Sequence, residues 1–269
     1  MRQRFIQSFS TSGTEQTAID EGLVGKPYVC YIQDGRYIDW NTKDKTPDDR
    51  LIVVYNITGT GETAILNVTT GIEKIELEDG TVVPIANSYQ FQETGLTTLY
   101  FTLTQVGAAT RTYARQFYGC TSIVSVITPL DLTYLDNSTF GACSSLEDIK
   151  MPGVVSFANY AFDGCSSLTD LVLPSGLTEI SQYCFRNCTG LSSVVVPESV
   201  GSMYSSCFYG CGSLTDLTVL RTEPPTLGMY AIPSTTYIYV PDASVSAYKA
   251  AQNWAEHADH IKGISEKPE

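Results

Sequence analysis

The chain has 269 residues, of which 43% are apolar and only 17% charged, a composition that suits a folded protein with a sizeable core and excludes wholesale disorder. Twenty-nine acids against sixteen bases leave a formal charge of −13, which repels phosphate backbones and anionic bilayers and so speaks against nucleic-acid partners. No run approaches the roughly 20 consecutive apolar residues that a spanning helix requires, so membrane insertion is not expected.

Residues 1–21 are rich in Ser, Thr and Gln without hydrophobic period and read as a flexible segment. Two arginines stand early, but no apolar core of about 7–15 residues follows, so this stretch is not expected to be a secretory signal. From Lys26 the texture changes. The run PYVCYIQDGRYIDW places two short β-type segments around Asp34-Gly35, a dipeptide suited to a tight hairpin. After a charged loop containing Pro47 come LIVVYNI, AILNV, IEKIEL, TVVPIA, YQF and TTLYFTL, separated by glycine-bearing turns. Short β-branched and aromatic runs at this spacing predict an antiparallel, immunoglobulin-like β-sandwich over 22–105. Tyr100 reads either as a corner that bonds back to a loop or as an exposed strand tyrosine. Residues 106–112 read as a linker.

The next stretch says nearly the same thing five times. Phe117, Phe140, Phe162, Phe185 and Phe208 are spaced 23, 22, 23 and 23 residues apart, and each is followed three residues later by Cys120, Cys143, Cys165, Cys188 or Cys211. Apolar residues recur three further on and again three after that, as in Leu168 and Leu171. A second set of pairs, Leu132/Leu135, Val154/Phe157, Leu177/Ile180 and Val200/Met203, precedes each following phenylalanine. Such self-similarity is the signature of a solenoid whose units bury their apolar residues only by stacking. Within one unit Leu171 and Leu173 face inward, Asp170 and Val172 outward, and Pro174 stops the strand. Stacked parallel strands then make the phenylalanines an internal column. The end of the stack needs a cover. TYIYVP reads as a final strand, and Ala247, Ala251, Trp254, Ala258 and Ile261 at helical spacing predict a capping helix over about 243–262. Asp242 or Ser244 is placed to start it and Gly263 to end it. The solenoid thus spans 113–264, and the fold class is mainly β: a sandwich followed by a solenoid of stacked repeats with a capping helix.

Repeats of the form F-x-x-C-x-x-L-x-x-L-x-L-P, closed by TYIYVPDASVSAYKAAQNW, resemble the BspA-like leucine-rich repeats over about residues 113–264. The front portion is similar, more loosely, to the immunoglobulin-like domains that often precede them. The resemblance implies a non-enzymatic protein, extracellular or at a cell surface, of the kind common in gut and oral bacteria and associated with adhesion to host proteins or other cells. It offers no catalytic residues. A chain lacking a signal but carrying such an array also suits a bacteriophage virion component with the repeats displayed on its surface.

Several residues invite chemistry. Cys184/Cys188 and Cys207/Cys211 stand four apart, as zinc pairs or disulfides do, but Cys184 and Cys207 occupy the small-residue position before phenylalanine, where buried packing is the simpler role. His257 and His260 are far along the chain from the cysteine column, and no phosphate loop, zincin helix or nucleophile elbow occurs. No catalytic residue, metal ligand or cofactor is therefore assigned. The candidate binding surface is the outward strand face: Ser125, Asp148, Asp170, Ser193 and Asp216 in one column, with Lys150, Val172, Val195 and Thr218 in its neighbour beside Ile127. Register stacking sets Asp148 beside Asp170, an acidic, hydroxyl-bearing strip for a cation or a basic ligand, or else a plain solvated sheet face. The expected partner is a protein or glycan at a cell surface. Among 17 tyrosines, Tyr160, Tyr183 and Tyr204 share a setting shortly before phenylalanine and are placed to line one edge of the stack.

Overall fold

The computed structural model describes residues 30–33, 36–39, 50–58, 63–65, 71–78, 80–86, 88–90, 94–103, 105–106, 109–129 and 131–268. The flexible segment expected at 1–21, and Asp34-Gly35 themselves, lie outside them. Two compact units are present, 1–49 and 50–269. In the first, Cys30–Gln33 and Arg36–Asp39 pair antiparallel from Cys30↔Asp39 to Gln33↔Arg36. No helix among the described residues is long and apolar enough to cross a membrane.

The second unit is built on two ladders of stacked rungs. The main ladder holds the strands Ile123–Ile127 and Asp148–Lys150 in one sheet and Asp170–Val172, Ser193–Val196, Asp216–Val219, Tyr237–Val240 and Ile261–Gly263 in another. The second ladder holds the shorter strands Ala109–Arg111, Leu132–Leu135 and Ser156–Phe157, then Glu179–Ile180, Ser202–Met203 and Thr226–Leu227. Pairing between successive repeats is parallel and in register, as in Leu171↔Val194 and Val194↔Leu217. A strand of three or four residues suffices because each rung needs only to present its apolar side chains inward once before the chain turns.

Between the two ladders each rung makes a tight turn around its phenylalanine. Phe117, Phe140, Phe162, Phe185 and Phe208 are all fully buried and stack face to face at centroid distances of 5.3, 5.8, 5.2 and 5.4 Å, with neighbouring planes within 10°. Each of these phenylalanine N–H groups donates to a carbonyl of the following rung (Phe140 to Ala161, Phe162 to Cys184, Phe185 to Cys207) at 2.8–3.0 Å. The turn is unusual in needing left-handed backbone twice. Two residues before each phenylalanine stand Arg115, Ser138, Tyr160, Tyr183 and Ser206, with φ between 53° and 61°. Two residues after stand Gly119, Ala142, Gly164, Asn187 and Gly210, also at positive φ. A side chain in this conformation costs roughly 1–2 kcal/mol, and the hydrogen bonds between rungs hold it there.

The front of the second unit differs from expectation. Its described strands do not support an immunoglobulin-like sandwich over 22–105. Leu51–Ile57, Ile72–Leu77, Val82–Val83 and Gly95–Leu103 form one antiparallel sheet, and Leu51–Ile57 continues into the solenoid by pairing antiparallel with the first repeat strand, Val53↔Val126 and Ile52↔Ile127. The first rung, like the last, exposes ladder groups and apolar area, and these strands cover both. Phe101 packs edge-on against Phe117 at 5.4 Å and so closes the front of the phenylalanine column. Tyr100 lies buried beneath the Arg50 guanidinium, 4.4 Å from its ring centroid, rather than exposed. Ala109–Arg111 is not a linker: it pairs parallel with Leu132–Leu135 and belongs to the second ladder.

The far end also departs from expectation. No continuous helix spans 243–262. A 3₁₀ turn at Asp242–Ser244, a six-residue α-helix at Val245–Ala250 and a second 3₁₀ turn at Ala255–His260 are separated by extended Ala251 and by Asn253 at φ 65°. Ile261, expected on the helix face, lies in the closing strand opposite Ile238. Ser244 stands at the helix start without a side-chain capping bond, and Gly263 is extended, not a helix terminator. The break has a physical reason. The last rung leaves carbonyls with no successor strand, and the lid answers them with side chains: Trp254 Nε1 donates to Pro225 O at 2.8 Å, Asn253 Nδ2 to Leu227 O at 2.5 Å and Tyr248 Oη to Arg221 O at 2.8 Å. A straight helix presents one face, and these three donors lie too close in sequence for one face to hold them all.

The phenylalanine column is the stability determinant this packing predicts. Phe162→Ala opens a cavity between two stacked rings and is expected to lower unfolding free energy by about 3–5 kcal/mol, with Phe162→Leu costing markedly less. Urea denaturation followed by circular dichroism checks both, and equal effects from the two substitutions contradict the stacked column.

Candidate functional site

The outward strand positions fall in register as columns. Ser125 pairs with Asp148 and Ile127 with Lys150; Asp170, Ser193 and Asp216 follow one another, as do Val172, Val195 and Thr218. Asp148–Lys150 and Asp170–Val172 belong to different sheets, so the like-charge pair expected between Asp148 and Asp170 is not a ladder pair. Each acid instead has a local partner. Lys150 Nζ donates to Asp148 Oδ1 at 2.9 Å. Ser193 Oγ donates to Asp170 Oδ1 at 2.7 Å, with Ser192 Oγ at 3.3 Å on the same oxygen and Thr169 Oγ1 at 3.4 Å on Oδ2. Thr215 Oγ1 donates to Asp216 Oδ2 at 2.8 Å. A lysine and hydroxyls of the same or the next rung thus hold the carboxylates of the strip.

Exposure along the columns is uneven. Val172 is 71% exposed in the middle of the ladder, whereas Thr218 is only 7% exposed. The difference comes from the chain end, which turns back over the last rungs: Lys267 Nζ donates to Thr218 Oγ1 at 3.0 Å and lies 5.4 Å from the Tyr239 ring centroid. Beyond the repeats the columns continue through Tyr237 and Tyr239, paired with Asp216 and Thr218. His260 packs on Tyr237 at 5.2 Å, and Lys262 Nζ stands 4.6 Å from the same ring centroid. The periodic pattern stops before these residues, and so they escape a repeat-based reading; the TYIYVP strand is the one signal for them.

The cysteines line the interior. Cys143, Cys165, Cys188 and Cys211 each donate Sγ–H to the carbonyl of the phenylalanine one rung earlier (Phe117, Phe140, Phe162 and Phe185) at 3.0–3.2 Å. That carbonyl also accepts the N–H of the cysteine in its own rung, as Phe140 O does from Cys143 N at 3.2 Å. Cysteine is therefore a small apolar filler with one weak donor aimed at a lone pair that would otherwise be empty. Cys184 and Cys207 are buried at the small-residue position. Burial pushes the thiols of Cys143, Cys165, Cys184 and Cys207 well above the ordinary thiol range, and that of Cys188, beside the Cys211 thiol and buried, rises likewise. Burial of this kind favours the neutral thiol over the thiolate that nucleophilic attack or metal ligation needs. His257 and His260 stand in the lid turn at Ala255–His260, and burial lowers the His257 pKa.

The tyrosine edge is partly as expected. Tyr160 and Tyr183 stack at 4.9 Å with planes 14° apart. Tyr204 is not their equivalent: it stands four residues before its phenylalanine, and its hydroxyl donates to Glu179 Oε2 at 3.3 Å. The third tyrosine at the Tyr160/Tyr183 position is Tyr230, also left-handed at φ 57°. A neighbouring feature was not anticipated. Arg186, just after its phenylalanine, makes a two-point ion pair with Asp163 of the preceding rung at 2.9 and 2.7 Å. Its guanidinium lies 5.2 and 5.3 Å from the centroids of Tyr160 and Tyr183. The residue following each phenylalanine varies (Tyr118, Gly141, Asp163, Arg186, Tyr209), and that variability against a constant background is the signal that marks an outward position.

Residues 110–232 match the BspA type leucine rich repeat region in six copies, one more than the phenylalanines count. No curated protein matches the chain by sequence. Solved structures that resemble it include the leucine rich repeat protein of T. pallidum, 24% identical over 58% of this chain and 78% of that one, with a TM-score of 0.42. Others are the pneumococcal vaccine antigen PcpA (17% identity, 59% of this chain, 39% of that one, TM-score 0.47) and a leucine rich cell surface protein of Faecalibacterium prausnitzii (20%, 61%, 38%, 0.41). The chain spans well under two thirds of the length of the latter two. Nothing in these comparisons supports the virion reading.

Two outcomes follow from this geometry. Cys120, Cys143, Cys165, Cys184, Cys188, Cys207 and Cys211 are expected to stay unalkylated by iodoacetamide in the native protein and to react once it is unfolded, read peptide by peptide by mass spectrometry. Because hydroxyls and Lys150 already hold the outward carboxylates, millimolar calcium is expected to leave the thermal midpoint unchanged. A rise in that midpoint would establish a cation site on the strip.

Proposed function

We propose that this is a non-enzymatic recognition protein, extracellular or at a bacterial cell surface, that adheres to a host or cell-surface protein or glycan through the outer face of its main ladder. The contact residues are Ser125, Asp148, Lys150, Asp170, Val172, Ser193, Val195 and Asp216; Thr218, covered by Lys267, is left out. The observation that carries the reading is Val172: an apolar side chain 71% exposed on a rigid ladder, next to a carboxylate already locked by hydroxyls. Apolar contact flanked by fixed polar groups is the make-up of a recognition patch. A stack of short parallel rungs also supplies the extended, stiff surface on which repeat proteins bind partners without large ordering costs. The −13 charge adds a preference for basic partners.

The interior thiols are spent on packing and His260 rests on Tyr237, which supports a role without turnover. The test is biolayer interferometry of the full chain against a panel of extracellular-matrix proteins and mucin-type glycans. Saturable binding to at least one is expected, weakened about tenfold or more by Val172→Lys with the thermal midpoint unchanged. No saturable binding across the panel, or binding indifferent to Val172→Lys, overturns the proposal.

A further inference from the structure

The turn edge of the solenoid carries a second recognition feature, independent of the strand face. The position two residues before each phenylalanine forms its own column, fixed by backbone hydrogen bonds: Tyr160 N donates to Gln182 O, Tyr183 N to Ser205 O and Ser206 N to Met229 O. After Arg115 and Ser138 in the first two repeats, reading along it gives Tyr160, Tyr183, Ser206 and, before Ile232 in the rung that follows, Tyr230; these four are left-handed, with φ of 61°, 58°, 59° and 57°. Three of the four are tyrosines. The first two stack at 4.9 Å, one rung apart. Tyr183 and Tyr230 are two rungs apart, roughly 10 Å by the ladder spacing, with only a serine between them.

We propose that the gap at Ser206 is a slot that takes one aromatic side chain from a partner polypeptide, continuing the tyrosine stack. The spacing selects the guest. The column repeats at 4.9 Å, so a ring entering at the Ser206 rung lies at ordinary stacking distance from the tyrosine positions on both sides. Ser206 itself is 8% exposed and forms the floor, while Tyr230 is 75% exposed and projects as a wall. Tyr209 follows Phe208 in the rung of Ser206 and is 56% exposed; the same two positions meet in the first rung, where Arg115 lies 4.2 Å from the Tyr118 ring centroid. Arg186, held to Asp163, flanks the slot from the rung before and keeps Tyr183 in place. Tyrosine walls with an adjacent arginine are the residues that dominate protein-interface hot spots. The excess of acids over the chain favours a guest ring carried among basic residues.

Ser206→Tyr tests this directly. Tyrosine already occupies the same left-handed position at Tyr160, Tyr183 and Tyr230, so the substitution fills the slot without backbone strain, and the thermal midpoint is expected to hold or rise. The probe is tyramine, followed by ¹H–¹⁵N NMR on the full chain, with 4-hydroxyphenylacetate and methyl β-D-glucopyranoside as the anionic and sugar-ring comparisons. Tyramine is expected to shift the amides of Ser206, Tyr209 and Tyr230 at millimolar concentration. Ser206→Tyr is expected to weaken that response at least about tenfold, the size of losing two stacking faces. No shift at these amides, an equal response in Ser206→Tyr, or a stronger response to the acid or the sugar than to tyramine overturns the slot. Val172→Lys leaves tyramine binding unchanged, so failure here and failure of the strand-face reading are separate results.

Discussion

Each rung of this solenoid is locked to the next at one point, the turn around its phenylalanine. There the ring stacks on its neighbours while its N–H and carbonyl are both engaged across rungs, the N–H by the following turn and the carbonyl by a cysteine thiol. The period of the stack is set by hydrogen-bonded parallel backbone, and an aromatic ring is close to that period in thickness. The short strands of both ladders, only two to five residues long, would not hold together as isolated sheets. They are stable because the turn column between them is continuous.

A continuous column creates two ends, and the ends are solved in different ways. At the front, Leu51–Ile57 approaches the first repeat strand antiparallel, so the parallel ladder is terminated by reversal of direction, with Phe101 set edge-on against the first ring, Phe117. At the back no strand answers the final rung of the second ladder. Its carbonyls are met one by one by Trp254, Asn253 and Tyr248, while the main ladder gains Tyr237–Val240 and Ile261–Gly263. Both solutions leave few backbone groups unpaired, which is what an open stack otherwise suffers.

With the interior so constrained, diversity is confined to outward positions, and these fall on two surfaces. The main ladder presents hydroxyl-held aspartates beside valines; the turn edge presents stacked tyrosines steadied by an Arg–Asp pair. Neither surface has to order itself on contact, because its side chains are already held by neighbours in adjacent rungs. The array thus displays a few exposed apolar and aromatic groups at fixed spacing.

The repeat period, the inward phenylalanines and cysteines, the strand-stopping prolines and the direction of Asp170 and Val172 were all legible in the residues, because a stacked rung sees the same environment every 22 or 23 positions and so writes the same residues there. The equivalence of Tyr204 with Tyr160 and Tyr183 was misread because the count from phenylalanine, not nearness to it, decides where a side chain points. Ala247, Ala251, Trp254 and Ile261 have true helical spacing, yet the lid breaks, since unpaired carbonyls of the last rung outweigh the helix preference of so short a segment. The fusion of the front sheet to the first rung, the covering of Thr218 by Lys267 and the interruption of the tyrosine column are likewise tertiary facts. Periodicity records what each rung shares with its neighbours; where the stack starts, stops or changes partner, the contacts are made once and leave no repeating trace.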